Sequence, residues 1–253
     1  MHKLAIIIPT HNEEKRIGGK LKSYISYFKK NKDIDIIVVL NACSDGTKGV
    51  VKKYKQKNLE ILEFVKGGKG FAVIEGFKHA LKKNYNYIGF VDADMSTTAE
   101  EFNRLLTGIG SYDGVIASRY IPGSKLTPRN TLSRVIASRI YNAFIRSILL
   151  IPFRDTQCGA KIFRADALKK VIDKIGMTSW AFDIELLYLF CKNGFKIKEI
   201  PTVWSNQEYS TINFWKSGPW MALAVVRLRL LNSPFRKMIR VYDKFIGFFK
   251  PSK

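Results

Sequence analysis

Cysteine is scarce in this chain, and what there is does not pair. Cys43, Cys158 and Cys191 are odd in number and far apart among 253 residues. That excludes a disulfide framework and a cysteine zinc site, and it points to reduced thiols in a cytosol-facing protein. Long apolar runs are missing too. A spanning helix needs about 20 mostly apolar residues, and the best candidate, Val135 to Phe153, is interrupted by Arg139 and Arg146. The first apolar stretch, Leu4 to Pro9, is short and runs straight into charge, so neither a signal peptide nor a transmembrane helix is expected. No internal repeat or low-complexity tract is present. With 46% hydrophobic and 13% aromatic residues the chain is too apolar for disorder, and its length fits one α/β domain with or without an appendage.

Acids are also few: 21 Asp and Glu against 43 Lys and Arg, a formal charge of +22. The imbalance is local. Residues 119–154 hold seven basic residues and no acid, and residues 204–253 hold nine against Glu208 and Asp243. Such a bias fits a solvated basic face, a nucleic-acid surface or an anionic membrane surface. The stretch 131–153 favours the membrane, because Ile136, Ile140, Phe144 and Ile148 recur among arginines at helical spacing. The tail repeats the theme with Phe214, Trp215, Trp220, Met221, Phe235, Met238, Phe245, Ile246, Phe248 and Phe249. Part of it can equally be a helix packed on its own domain. No nucleic-acid reading motif occurs, so no nucleic-acid partner is expected.

What is present is an alternation of short apolar runs and helical patterns. Leu4–Pro9, Ile34–Leu40, Leu59–Val65 and Tyr87–Val91 read as buried strands. Asn12 followed by Glu13 and Glu14 reads as a cap opening a helix to Lys30. Turn residues from Asn41 to Thr47 open a second helix through about Gln56, and the glycine loop 66–70 opens a third to about Lys83. A helix to about Ile109 and a strand at Gly114–Ser118 follow, then the basic stretch and a mixed region over 155–205. The first hundred residues therefore predict a parallel, doubly wound sheet. Ligands in such sheets sit at the carboxyl ends of the strands, where the polar loops 9–13, 41–47 and 92–96 fall. The glycine loop is neither GxGxxG nor a P-loop, since Lys69 is not followed by Ser or Thr. Asp92-Ala93-Asp94 ends the fourth strand, and two hard carboxylate ligands suit Mg²⁺ or Mn²⁺, with diphosphate oxygens and water completing the shell.

These blocks together resemble the GT-A-fold family 2 glycosyltransferases, and among them the dolichyl-phosphate glucosyltransferases and mannose synthases. The resemblance covers nearly the whole chain. It runs through Ile7 to Glu14, Val38 to Thr47, Gly67 to Gly70, Val91 to Asp94 and Ser118 to Tyr120. Its sharpest matches are Asp155-Thr-Gln-Cys-Gly-Ala-Lys-Ile-Phe163 and Trp180-Ala-Phe-Asp-Ile-Glu-Leu-Leu187. It implies a mixed α/β sheet with basic amphipathic helices toward the C-terminal side. A catalytic domain would span 1–205, with a nucleotide-sugar half at 1–118 and an acceptor half at 119–205, and the tail 206–253 would associate with a membrane. The implied reaction is inverting transfer of a hexose, glucose favoured over mannose, from a nucleotide-diphosphate sugar to dolichyl or other polyprenyl phosphate. The implied place is the cytoplasmic face of a membrane, held peripherally. A separate membrane subunit or a homo-oligomer could stand in for the spanning helices of many relatives.

By the same resemblance, Pro9, His11 and Glu13 hold the nucleotide base and ribose, with His11 where a Tyr is usual. Asn41 stands where a base-contacting Asp is common, which leaves UDP against GDP open. Lys69 matches the lysine of the glycine loop. Asp92, Ala93 and Asp94 form the metal and donor motif, with Asp94 the better ligand, and Ser96 replaces a Gln ligand of the mannose synthases. Arg119, Arg134 and Ser138 match acceptor-phosphate positions. Tyr209 and Thr211 replace the Gly and Lys of a loop that covers the donor, so closure would rely on Lys216 or on nothing comparable. Asp183 is either a helix cap or, for a hydroxyl acceptor, the general base. Asp155 and Gln157 could brace a turn, Cys158 reads as a packed thiol, Trp180 and Phe182 as core or sugar platform, and His79 as a surface residue without a partner.

Overall fold

The computed structural model describes residues 3–127, 132–176, 181–205, 214–239 and 242–243, the side chains of 132–134, 214–217 and 236 excepted. Four strands are where the β-branched runs predict them: β1 (Leu4–Thr10), β2 (Ile34–Asn41), β3 (Leu59–Phe64) and β4 (Tyr87–Val91). Between them lie α1 (Ile17–Phe28), α2 (Thr47–Lys52) and α3 (Lys69–Leu81), then α4 (Ala99–Gly108), β5 (Gly114–Ser118), β6 (Lys125–Thr127) and α5 (Leu132–Leu149). The undivided region resolves into β7 (Ala160–Arg164), α6 (Ala165–Val171), α7 (Phe182–Lys192), β8 (Ile197–Pro201) and β9 (Val203–Ser205), with α8 (Phe214–Leu231) beyond.

The main sheet has seven strands in the order β3-β2-β1-β4-β7-β5-β8. The first four are parallel, as expected. β7 then runs antiparallel between β4 and β5, which makes the sheet mixed. β6 and β9 pair separately. Side chains of a strand alternate between faces, and β1 does so without a polar interruption. Leu4, Ile6 and Ile8 join one core with α1 and α4, while Ala5 and Ile7 join the other with α3, α5, α7 and α8. Gly76 lets α3 sit close on β1: a Cβ there would lie 2.4 Å from Ile7 Cγ2.

One expectation changes. Asn12 does not cap α1; the helix starts at Ile17, behind Arg16, with no side-chain cap. Asn12 instead takes a left-handed φ of 51° and bonds across to Ser44. Of the two readings of the tail, packing on its own domain holds for α8, which buries Met221, Val225 and Leu228 in the core that holds α5 and α7. The rest of the tail, including Phe245, Ile246, Phe248 and Phe249, lies outside the described residues.

Candidate active site

At the carboxyl edge of the parallel strands the first two polar loops are stitched together. Asn12 and Ala42 are both left-handed, at φ 51° and 49°, a conformation that costs a non-glycine residue and needs surrounding bonds to persist. Those bonds are present. Ser44 N donates to Asn12 Oδ1 at 2.8 Å, Glu13 N to Thr47 Oγ1 at 2.8 Å and Gly46 N to Glu14 Oε2 at 3.0 Å. His11 Nδ1 lies 2.8 Å from Asn41 O, and since a carbonyl only accepts, Nδ1 carries the proton. Glu13 pairs with Arg16 through both carboxylate oxygens. Pro9 is buried in β1. Asn41, where the resemblance implies a base contact, holds the loops together. It is 1% exposed, its Nδ2 donates to Thr10 O and its Oδ1 accepts from Gly68 N. The amide ties β1, β2 and the glycine loop together, work a carboxylate could not do because it has no donor.

The third loop carries the carboxylate motif. Asp92 N donates to Gly159 O at 2.9 Å, and Asp92 Oδ1 meets Lys69 Nζ at 2.7 Å. Asp94 Oδ1 accepts from Ser96 N at 3.0 Å, and the buried Ser96 accepts in turn from Ser205 N through its carbonyl. Ala93 is buried between the two acids. Burial pushes the Asp92 carboxyl up, Lys69 opposes that, and the like charge of Asp94 adds to it. Among the described residues no three His, Cys, Asp or Glu gather as a ready-made cage. Two partly exposed carboxylates of like charge nevertheless fit a hard divalent cation that draws its remaining ligands from diphosphate and water.

From Asp92 a line of alternating charge runs into the protein. Lys69 Nζ also lies 3.4 Å from Asp183 Oδ2, and Lys161 Nζ donates to Asp183 Oδ1 at 2.6 Å. Lys161 is fully buried, and its ammonium also donates to Cys158 O. Burial would raise the Asp183 carboxyl, but Lys161 and then Lys69 hold it below the usual range. Asp183 is not the cap of α7: the N-cap position is Ala181, and no side chain caps the helix.

The expected acceptor side centres on a buried ion pair. Arg119 Nε and Nη2 donate to the two oxygens of Asp155 at 2.7 and 2.9 Å, and Arg119 N adds a third bond. Glu199, on β8, accepts from Arg154 N and Asp155 N and so fixes the turn. Arg119 also lies over the Trp204 ring, 5.1 Å from its centroid. Ser138 is on α5, its carbonyl bonded to Asn142. Arg134 falls on the same helix, but its side chain lies outside those described, as do Trp180, Tyr209, Thr211 and the Lys216 side chain.

A family model described as "Glycosyl transferase family 2" matches residues 5–172. The chain belongs to glycosyl transferase family 2. Among curated relatives, the dolichyl-phosphate beta-glucosyltransferase of Dictyostelium discoideum is 29% identical over 89% of this chain and 73% of its own length. The polyprenol monophosphomannose synthase of Mycolicibacterium smegmatis is 28% identical over 80% of this chain and 77% of its own. A solved glucosyl-3-phosphoglycerate synthase from Mycobacterium tuberculosis, in complex with Mn²⁺, UDP and phosphoglyceric acid, superposes with a TM-score of 0.67 over 90% of this chain and 78% of that one. At 14% identity it shares the fold, which is the GT-A fold.

Several residues of this family 2 chain are placed as expected. Cys158 is a packed thiol, fully buried and pushed up to about 12 by burial. Phe182 is core, and Asp155 braces a turn. His79 differs: its Nε2 meets Glu60 Oε2 at 2.8 Å, because β3 brings Glu60 beside α3.

Two buried lysines went unread. Lys161 hides in a strand whose neighbours Ile162 and Phe163 are apolar. Lys20 had a legible signal, since it interrupts the apolar stripe Ile17, Leu21, Tyr24 of α1. It is fully buried and donates to Thr97 O at 2.8 Å, just behind the carboxylate loop. Burial lowers its ammonium to about 8, with Asp94 and Asp92 pulling the other way. The unfolded chain therefore binds more protons between pH 8 and the ordinary 10.5, so this lysine's cost is full below pH 8 and fades as pH rises. Relative to Lys20→Met, the wild type should gain about 2–3 kcal/mol between pH 7 and pH 10. Urea melts of both proteins at the two pH values test this, and a pH-independent difference would refute it.

Proposed function

We infer that this chain moves a hexose, glucose favoured, from a nucleotide-diphosphate sugar to dolichyl or another polyprenyl phosphate at a membrane surface. The observation that carries the acceptor class is Asp183. A hydroxyl acceptor needs a general base that readily takes up a proton, and Asp183, bonded to the buried Lys161 at 2.6 Å, is held below the usual carboxylate range chiefly by that lysine and is a weak base. A phosphate monoester needs no such base, because its second pKa is about 6 and it arrives ionised. Its oxygen attacks the anomeric carbon as the bond to the nucleotide diphosphate breaks, with inversion. The named activities of the Dictyostelium and Mycolicibacterium relatives support the same acceptor class.

The residues divide the work. The loops carrying Pro9, His11 and Glu13 form the nucleotide side, and Lys69 stands between them and the carboxylate motif, with a proton it does not readily lose. Asp94, helped by Asp92, would hold Mg²⁺ or Mn²⁺. Such an ion neutralises the leaving diphosphate. Arg119, through the Nη1 that Asp155 does not take, with Arg134 and Ser138, would receive the acceptor phosphate, for which guanidinium donors are well suited.

Attachment to the membrane is supported by α5. Ile136, Ile140 and Leu150 are 48%, 65% and 74% exposed, and the exposed Arg139 and Arg146 stand among them. Phe235 and Met238 are exposed beyond α8. Among the described residues no helix is long and apolar enough to cross a membrane, and an apolar stripe edged with arginines suits an anionic lipid surface.

Transfer from UDP-glucose or GDP-mannose to polyprenyl phosphate in anionic vesicles, with Mn²⁺, tests the reading. Wild type should make the glycolipid, and Asp183→Asn should retain it within about tenfold. Loss of about 10²–10⁴ in that variant, the range for a missing general base, would point to a hydroxyl acceptor instead.

A further inference from the structure

Lys161 is the second residue of β7, inside a seven-stranded sheet, and is fully buried. A buried ammonium is retained only with partners, and replacing a whole buried ion pair by apolar residues is often harmless to stability, whereas removing one partner is not. Packing alone therefore does not explain a lysine here. Its partners do suggest a reason. Nζ is bound by Cys158 O at 2.7 Å and Asp183 Oδ1 at 2.6 Å, and the other oxygen of Asp183 faces Lys69. Both ammonium groups also lie over the Phe90 ring, that of Lys161 at 5.2 Å from its centroid and that of Lys69 at 5.5 Å.

We propose that Lys161 is a positioning residue for donor binding: it neutralises Asp183 from within the sheet, so Lys69 is free to leave its two carboxylates for the donor's diphosphate. This rests on the donor-binding reading above. Lys69 bridges Asp92 at 2.7 Å and Asp183 at 3.4 Å. When a diphosphate arrives, Lys69 can turn to it only if Asp183 is not left buried and unpaired. Lys161 guarantees that, because it stays bonded to Asp183 whatever Lys69 does. Without Lys161, Asp183 would have Lys69 as its one neighbouring cation and would hold it back.

The test is calorimetric binding of UDP, GDP, UDP-glucose and GDP-mannose with Mn²⁺. Lys161→Met should weaken binding of the preferred nucleotide sugar by about tenfold or more, and Lys161→Met/Asp183→Asn should recover it to within about threefold. In transfer assays the acceptor KM should stay put in both, which a general loss of structure would not allow. Unchanged donor affinity in the single variant, or no recovery in the double, overturns the proposal. Should the single variant fail to fold, the double variant is compared with Lys69→Met. The double should bind near wild type where Lys69→Met loses about tenfold or more, and a double as weak as Lys69→Met overturns it. A wild type that binds none of the four nucleotides overturns both the proposal and the donor reading, whereas a binding wild type with the wrong variant pattern overturns the role of Lys161 alone.

Discussion

Asp94→Ala is expected to abolish sugar transfer, by about 10³-fold or more, and to leave the fold standing. The magnitude follows from charge. A nucleotide diphosphate leaves with concentrated negative charge, and a cation at that point is worth several kcal/mol, of which about 4 kcal/mol already equals 10³-fold. The fold should survive because Asp94 is partly exposed and its carboxylate accepts one local bond, from Ser96 N. Breaking one such bond costs about 1 kcal/mol. Calorimetry separates the two effects. Wild type should bind one nucleotide sugar of the UDP or GDP type only with Mn²⁺, and Asp94→Ala should lose that binding while keeping the wild-type circular dichroism spectrum. Equal binding by both proteins would remove Asp94 from the donor site.

The contrast between Asp92 and Asp94 sharpens the expectation. Asp92 is already neutralised by Lys69 at 2.7 Å, and it has no room to move toward Gly159, where even a Cβ would come within 1.9 Å of Asp92 Oδ2. Asp94 has no lysine or arginine within ion-pair distance among the described residues. Of the two carboxylates it is the one whose charge remains to be matched.

How much of this was legible depended on how far apart in sequence the decisive partners lie. Strands β1 to β5 were legible because each is a short β-branched run closed by turn residues, a purely local signal. The carboxylate edge was legible for the same reason, since three such runs end in polar loops. β7 was not, because Ala160–Arg164 carries two charged residues, Lys161 and Arg164, among five and reads as half exposed. Only the fold brings Asp183, 22 residues on, to that lysine. Asn12 looks like a cap because acids follow it, but the next loop engages both residues instead: Ser44 N donates to the Asn12 side-chain oxygen, and Thr47 Oγ1 accepts from Glu13 N. Asn41 and Asp183 stand out in the sequence, but their bonds to Gly68, Lys69 and Lys161 are long-range, and no spacing rule contains them. The tail was read from composition, which registers apolar and basic residues but not which of them α5 and α7 cover. Met221, Val225 and Leu228 went inside, while Phe235 and Met238 stayed out.

Asp155→Ala is expected to be the most destabilising single change at the site, by about 3–5 kcal/mol. Asp155 is fully buried and takes three bonds from Arg119. Burial alone would raise its carboxyl, but Arg119 holds it below the usual range, so its stabilising share is present above the ordinary carboxylate pKa and is lost as acid protonates it. Removing it leaves a largely buried guanidinium without its anion, which is worse than having neither charge. In a chain of this size the loss should lower the melting temperature by about 6–20 °C at neutral pH. The gap to wild type should narrow as pH falls through the Asp155 titration. The pair also allows stability to be parted from function. Arg119→Met/Asp155→Leu removes both charges at similar volume and should recover most of the lost stability. It should not recover use of the acceptor if Arg119 receives the phosphate: the polyprenyl-phosphate KM should stay raised by about tenfold or more, the worth of a charge-assisted contact, with donor affinity near wild type. A double variant that regained both stability and the wild-type acceptor KM would make Arg119 a structural partner of Asp155 and would move the acceptor phosphate to other residues.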